Sequence, residues 1–97
     1  MKKYKIRNQE YELIENYKDG FDLDVVNEKM TDFFDQYDFV VGDWAYGKLR
    51  LKGFCNKKNK IFKKINNCEK IHDYIKQDCS YECKYFILKK IDNKNIH

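Results

Sequence analysis

The chain has 97 residues, of which 42% are hydrophobic and 16% aromatic, and its formal net charge is +4. This length and aromatic content predict a single compact domain over residues 1–97, and they exclude a second core and a disordered chain. Apolar runs are too short for a membrane span or a signal peptide, so we expect a cytoplasmic protein that does not insert into a membrane.

Charge is distributed unevenly along the chain. Residues 1–47 carry six basic and eleven acidic side chains, whereas residues 48–97 carry fourteen and five. A basic half can mark a surface that binds a polyanion. AT-rich coding also produces an excess of lysine, together with abundant Asn and Ile and a lack of Pro, so the charge alone does not assign a ligand.

The first predicted element is a β-hairpin, because two segments alternate between polar and apolar residues with period two. The segments are residues 4–7 and 10–13, and Asn8-Gln9 is the predicted loop. This loop would pair Arg7 with Glu10. It would also pair Ile6 with Tyr11, which collects charged groups on one face and apolar groups on the other.

A helix is predicted next, over residues 23–36, with Asp22 as its N-cap. An apolar stripe at helical spacing supports it and consists of Val26, Met30, Phe33 and Tyr37. Acidic side chains lie largely away from this stripe, so we expect them to face solvent.

A second hairpin is predicted from residues 39–44 and 48–54, with its turn around Ala45-Tyr46-Gly47. A two- or four-residue loop places Asp43 opposite Arg50 and Trp44 opposite Leu49. A three-residue loop with Gly47 in the left-handed conformation would instead point the Asp43 carboxylate among apolar residues. We favour the first register, because it gives the carboxylate a partner.

The last elements are a helix over residues 68–77, capped by Asn67, and a strand over residues 84–91. The strand contains four consecutive apolar residues, which is typical of a central strand covered on both faces. The predicted order is therefore ββαββαβ, a single α+β domain with a mainly antiparallel sheet and two helices packed against it. We expect the tail, residues 92–97, to be frayed.

Three segments carry a family resemblance. Residues 37–44 read Tyr-Asp-Phe-Val-Val-Gly-Asp-Trp, residues 49–54 read Leu-Arg-Leu-Lys-Gly-Phe, and residues 79–90 contain Cys79, Cys83 and the apolar strand. Together they resemble the YutD-like family, and the Gly-Asp-Trp and Leu-Arg-Leu pieces are the distinctive ones. The resemblance implies a small cytosolic protein of low-GC Gram-positive bacteria. Because that family is uncharacterised, it assigns no activity and no functional residues.

The second hairpin contains the strongest candidate site. Arg50 is one of two arginines in a lysine-rich chain. If lysine replaces arginine wherever the exchange is harmless, Arg50 is retained because its position needs the planar, five-donor guanidinium group. One interpretation is a structural ion pair with Asp43. The other is an anion site in which Arg50 binds a phosphate or carboxylate and Trp44 or Tyr46 stacks on a ring.

A basic strand face is the second candidate. Lys48, Arg50 and Lys52 project from the same side of their strand, and a lysine-rich loop follows. Together with Tyr46, this face has the composition of a nucleic-acid contact surface, although no RNA-recognition, KH or helix-turn-helix signature is present.

A metal site is the weakest candidate. Its ligands would be Cys68, His72, Cys79 and Cys83, which supply the sulfur and nitrogen atoms that zinc prefers. The Cys-x3-Cys spacing is a weak signal, and in a reducing cytosol we expect free thiols and no disulfide. We therefore predict no metal and no cofactor.

These observations together favour a non-catalytic intracellular binding or adaptor module. A cysteine nucleophile lacks an orienting acid beside His72, and no glycine-rich phosphate loop is present. The expected partner is a protein, which would contact Trp44, Tyr46, Lys48, Arg50 and Lys52. The alternative is an RNA- or DNA-binding protein that uses the basic face around Lys48, Arg50 and Lys52.

Overall fold

The computed structural model describes residues 2–78 and 83–91. Within these residues, five strands form one antiparallel sheet and two α-helices pack against it, which confirms the predicted α+β class. The elements are β1 (Lys2–Ile6), β2 (Gln9–Tyr17), α1 (Leu23–Lys29), β3 (Phe39–Ala45), β4 (Lys48–Phe54), α2 (Ile71–Asp78) and β5 (Tyr85–Lys90). Short 3₁₀ helices cover Asp32–Gln36, Lys64–Asn66 and Cys68–Lys70. In this part of the chain, no helix has the length and hydrophobicity needed to cross a bilayer.

The strand order is β1-β2-β5-β3-β4, so the last strand of the chain lies at the centre of the sheet. β5 pairs with β2 on one side and with β3 on the other. Phe86, Ile87 and Leu88 are all buried, because successive side chains of a central strand point alternately to two covered faces. The predicted central position of this strand is confirmed.

Each face of the sheet has its own apolar layer. α1 covers one face, in a layer that includes Val26, Met30, Val40, Phe86 and Leu88. α2 covers part of the opposite face, in a layer that includes Val41, Phe54, Ile71, Ile75 and Ile87. The β3–β4 hairpin extends from this double-layered core, so its turn is held by strands that are anchored on both faces.

The predicted register of the first hairpin is wrong by two residues. Ile6 pairs with Gln9 and Lys5 with Glu10, and the loop is Arg7-Asn8, whose φ angles are 52° and 67°. Two positive φ angles fit a type I′ turn, whose twist matches that of the flanking strands. A shift of two residues leaves every side chain on its predicted face, so polar–apolar alternation does not distinguish the two registers.

The helix predicted over residues 23–36 is two separate elements. α1 begins after Asp22, whose Oδ1 accepts hydrogen bonds from the backbone N–H groups of Asp24 and Val25. It ends before Met30, which is extended with a ψ of 135°, and a 3₁₀ helix follows over Asp32–Gln36. The break allows the ring of Tyr37 to lie against Gly53 of β4.

The second predicted helix is also divided. Asn67 caps it as predicted, because its Oδ1 accepts a 3.0 Å hydrogen bond from Glu69 N. The first turn is a 3₁₀ helix, Cys68–Lys70, and α2 continues from it. The tail predicted to be frayed, residues 92–97, lies outside the described residues.

Candidate binding surface at the second hairpin

The β3–β4 hairpin closes with the two-residue turn Tyr46-Gly47, since Ala45 pairs directly with Lys48. Their φ angles are 53° and 74°, so this turn is also of the type I′ kind. It sets the pairing of the whole hairpin, and Asp43 lies opposite Arg50 as the favoured register predicted. The alternative register, with its three-residue loop, is not formed.

Arg50 and Asp43 form a two-bond ion pair across the hairpin. Arg50 Nε donates to Asp43 Oδ1 at 3.0 Å, and Arg50 Nη2 donates to Asp43 Oδ2 at 2.7 Å. The Asp43 side chain is 1% exposed and that of Arg50 is 46% exposed. A buried carboxylate needs such a partner, and a lysine ammonium does not reproduce the paired geometry. This contact explains the arginine in structural terms.

Trp44 supports the hairpin from the α1 side. Its Nε1–H donates a 2.8 Å hydrogen bond to the carbonyl oxygen of Gly20, and its ring packs against the buried layer under α1. The ammonium of Lys84 lies 4.9 Å from the ring centroid. One ring face is thus engaged by a cation, so we treat Trp44 as a support of the turn and leave it out of the contact surface.

Tyr46 and Lys48 are the most accessible of the predicted binding residues. Tyr46 is fully exposed although it is a large aromatic side chain, and Lys48 beside it is exposed as well. The left-handed turn fixes the backbone of Tyr46 and directs it away from the sheet. The tip of the hairpin therefore presents an aromatic ring and a cation on a well-supported backbone.

Lys52 has a different environment from the other two cations of the strand face. Its Nζ lies 5.5 Å from the ring centroid of Phe54 and 5.6 Å from that of Tyr74 in α2. Cation–π contacts of this length hold the ammonium close to the surface. Lys48, Arg50 and Lys52 do share one face, but Lys52 contacts an aromatic ring of α2 and Arg50 is paired with Asp43.

The candidate metal ligands are not assembled in the described part of the chain, where no group of three metal-ligating side chains occurs. His72 Nε2 lies 2.6 Å from Glu15 Oε1. Cys83 is disulfide-bonded, so the expectation of a free thiol there is wrong, and its sulfur is not available as a thiolate ligand. Cys79 lies outside the described residues.

Cys55 and Cys68 are free thiols, the first buried and the second partly buried. Burial, followed by the charge of Asp38, raises the pKa of the Cys55 thiol. Burial, followed by the charges of Glu69 and Asp38, raises the pKa of the Cys68 thiol. Since the thiolate is both the nucleophile and the metal ligand, these environments oppose either use.

One polar cluster was not predicted. Glu15 accepts a 2.6 Å hydrogen bond from the Tyr85 hydroxyl and contacts His72 at the same distance, which links β2, β5 and α2. A β-bulge between Leu13 and Glu15 shifts the register of β2 and brings Glu15 opposite Ile87, on the α2 face. Because a bulge breaks the period-two pattern, alternation in the sequence contains no signal for this cluster.

The fold and this surface define a small α+β protein with an exposed hairpin tip. A family model described as "Putative antitoxin YutD-like" matches residues 5–89. "Putative antitoxin YutD" from Bacillus subtilis (strain 168) is 41% identical over 86 residues, which cover 89% of this chain and 94% of that protein. The solution NMR structure of protein yutD from B. subtilis matches with a TM-score of 0.77 and 36% identity, covering 100% of this chain and 91% of that one. The chain therefore belongs to the YutD-like family.

Proposed function

We propose that this protein is a non-catalytic cytoplasmic binding module that counteracts a toxin protein by contacting it directly with the tip of the β3–β4 hairpin. The names of its relatives contain the word antitoxin, which supports a protein partner. The observation that carries the choice of surface is the full exposure of Tyr46 on a type I′ turn.

An exposed tyrosine on a fixed turn has the properties of a binding anchor. Tyrosine is enriched among the residues that dominate interface energies, because it buries a large area and also has a polar hydroxyl. A turn that is already in its bound conformation loses little backbone entropy on association. Lys48 and Arg50 flank the tyrosine and would steer an acidic partner surface toward it.

Several side chains of potentially reactive type are already engaged or shielded in the described residues, which supports a non-catalytic module. Asp43 is occupied by Arg50, and Glu15 is occupied by Tyr85 and His72. The thiols of Cys55 and Cys68 have raised pKa values. The two carboxylates are thus held in contacts within the fold, and the raised pKa values keep the thiols protonated near neutral pH, which supports a non-catalytic role.

The test is to identify the partner and then to measure its affinity for hairpin variants. Protein cross-linked to the tagged chain in its own host is identified by mass spectrometry, produced separately and titrated by calorimetry. We expect the double variant Tyr46→Ser/Lys48→Glu to bind at least about tenfold more weakly, as loss of an anchor residue predicts.

The matched control is Lys3→Glu, because Lys3 is also exposed but lies in β1, at the opposite edge of the sheet. It changes the net charge in the same direction and should leave the affinity unchanged. Equal affinity of the wild-type protein and the hairpin variant would refute the proposed surface. If both variants weaken binding equally, the loss of affinity comes from the change in net charge and not from the hairpin surface.

A second candidate function is binding of RNA or DNA, which the alignment of Lys48, Arg50 and Lys52 on one strand face favours. Phosphate contacts release counterions, so such binding falls steeply as salt rises. An NMR titration with a short mixed-sequence RNA at low and moderate salt distinguishes the two functions. Salt-sensitive shifts that disappear in Lys48→Glu/Lys52→Glu would favour nucleic acid, whereas an unchanged spectrum would favour the protein partner.

A further inference from the structure

A groove runs along the outer edge of β4 and has a volume of about 260 Å³. Leu51, Lys52 and Gly53 all line it, although successive side chains of a strand point to opposite faces. β4 is the edge strand of the sheet, and the segment that forms one wall of the groove lies beside its end, since Cys55 N–H donates a 2.7 Å hydrogen bond to the carbonyl oxygen of Asn66. The far wall is formed by the 3₁₀ helix Asp32–Gln36 and by the chain segment 61–66.

This edge is open to a further strand. β4 is the last strand of the sheet order, and along Lys48–Phe54 it pairs with β3 alone in the described residues. Directly beyond it, Cys55 forms an isolated parallel bridge with Asn67, so the open stretch of the edge ends at Phe54. The N–H and C=O groups on the outer side of an edge strand can pair with an extended segment of another chain.

The groove is lined by both apolar and polar side chains, and two of the large apolar ones are exposed. Phe33 and Ile65 both line it and are 54% and 74% exposed, which is unusual for large apolar side chains that lie together. A closed apolar cavity of about 150 Å³ already holds a benzene ring. The groove is therefore large enough for one aromatic or aliphatic side chain.

The charges around the groove select the kind of segment that fits. Among the described lining residues, Lys52 and Lys63 carry charge and both are cationic. Lys48 adds positive charge on the same strand near the turn, whereas the charge of Arg50 is balanced by Asp43. A second copy of this chain is disfavoured, because pairing β4 with β4 would bring the same cations together.

We infer that the groove binds an extended, acidic segment of the protein partner, which pairs with the edge of β4 and inserts one apolar side chain between Phe33 and Ile65. This inference rests on the proposed function and adds the chemistry of the partner. Backbone hydrogen bonds supply affinity, the groove selects the inserted side chain, and the lysines select acidic neighbours.

The probe is a short synthetic peptide that alternates glutamate with threonine and has one central phenylalanine. Titration into the isotope-labelled full chain should shift the amide signals of Leu51, Gly53 and Ile65. Replacing the phenylalanine by serine should weaken binding about tenfold or more, because the apolar burial is lost. Replacing every glutamate by lysine should abolish it.

Variants of the protein separate the groove from the hairpin tip. We expect Ile65→Ser and Lys52→Glu each to weaken the peptide about tenfold, and Ile65→Ser should fold normally because its side chain is exposed. The matched control is Tyr46→Ser, another exposed large side chain, which should bind the peptide like the wild-type protein.

Two results of the peptide and RNA titrations would overturn the inference. One is an unchanged spectrum with the acidic peptide, or equal binding of all three peptides. The other is a shift of the groove amides by a short RNA and not by the peptide, which would assign the groove to nucleic acid. If the identified partner loses affinity for Tyr46→Ser/Lys48→Glu but not for Ile65→Ser, the groove inference fails while the proposed function stands.

Discussion

The ring of Phe86 occupies the space above Gly42 where any other residue would place its Cβ. The two residues are direct partners in the central pair of strands, β5 and β3. Phe86 is fully buried there, between α1 and the sheet. The absence of a side chain at position 42 thus determines how the largest fully buried residue of the central strand packs.

Gly42→Ala should consequently destabilise the protein. The added methyl group meets a ring that is enclosed by the core, so we expect a loss of about 1–3 kcal/mol in the free energy of unfolding. Denaturation in urea measures it. Gly47→Ala is the comparison, since a Cβ there meets nothing within 4 Å; its left-handed φ should cost about 1 kcal/mol. Equal effects would show that the core relaxes around the methyl group.

Arg50→Lys tests the ion pair with Asp43. Lysine keeps the charge but loses the paired hydrogen bonds to a buried carboxylate, so we expect about 1–2 kcal/mol of destabilisation, measured by thermal and urea denaturation. Arg7→Lys makes the same change at an exposed turn residue and should alter stability little. An unchanged melting temperature in Arg50→Lys would contradict the structural role of this arginine.

Glu15 should make the free energy of unfolding depend on pH in the acid range. Burial raises the pKa of its carboxyl, but hydrogen bonds from Tyr85 and His72 and the charge of His72 outweigh burial and bring it below 4.5. A pKa that is lower in the folded state adds stability above about pH 4.5, and this stability is lost as the pH falls through the lowered value. We expect a shallower acid dependence of the melting temperature in Glu15→Gln. Glu28→Gln, at an exposed site in α1, should behave like the wild-type protein.

Tyr11 contains a hydroxyl group that is buried without a hydrogen-bond partner among the described residues. Removing it in Tyr11→Phe eliminates the desolvation cost, so we expect stability to be unchanged or to rise by about 1 kcal/mol. Tyr85→Phe is the contrast, because it removes the hydrogen bond to Glu15 and should destabilise the fold. A clear loss of stability in Tyr11→Phe would mean that this hydroxyl has a partner in solution.

Tyr11→Phe and Tyr85→Phe should also change how stability depends on pH in the alkaline range. Burial, followed by the charge of Asp35, raises the pKa of Tyr11 to about 12. Burial and the hydrogen bond to Glu15 raise that of Tyr85 to about 12. Ionisation of either hydroxyl opposes folding, so stability falls as the pH rises from 10 to about 12. Each phenylalanine variant should therefore lose less stability over that interval than the wild-type protein.

The two hairpins show how far sequence patterns determine register. In the second hairpin, Asp43 has a charged partner in one register and an apolar environment in the other, so the cost of an unpaired carboxylate decides between them. In the first, both candidate registers pair Lys5 with a glutamate. In this hairpin the turn determines the register. Arginine rarely adopts the left-handed conformation that Arg7 has in the turn, so the sequence does not predict a turn at Arg7-Asn8.

The candidate site was predictable where it depends on local residues and unpredictable where it depends on distant ones. The strands on either side of Tyr46-Gly47 are close in sequence, and their pairing could be predicted from the alternation of residues and the charge of Asp43. The groove at β4 depends on the break after α1 and on segment 61–66, which meet only in the folded chain. The contact between Glu15 and His72 likewise joins residues 57 positions apart.

The central position of β5 has a consequence for synthesis. Ribosomes make the chain from its N-terminus, so both hairpins emerge before the strand that joins them into one sheet. Until then, β2 and β3 each have an unpaired edge, and the apolar partners of Phe86 and Leu88 are open to water. We therefore expect the two hairpins to remain unjoined, and accessible to chaperones and proteases, until β5 has been synthesised.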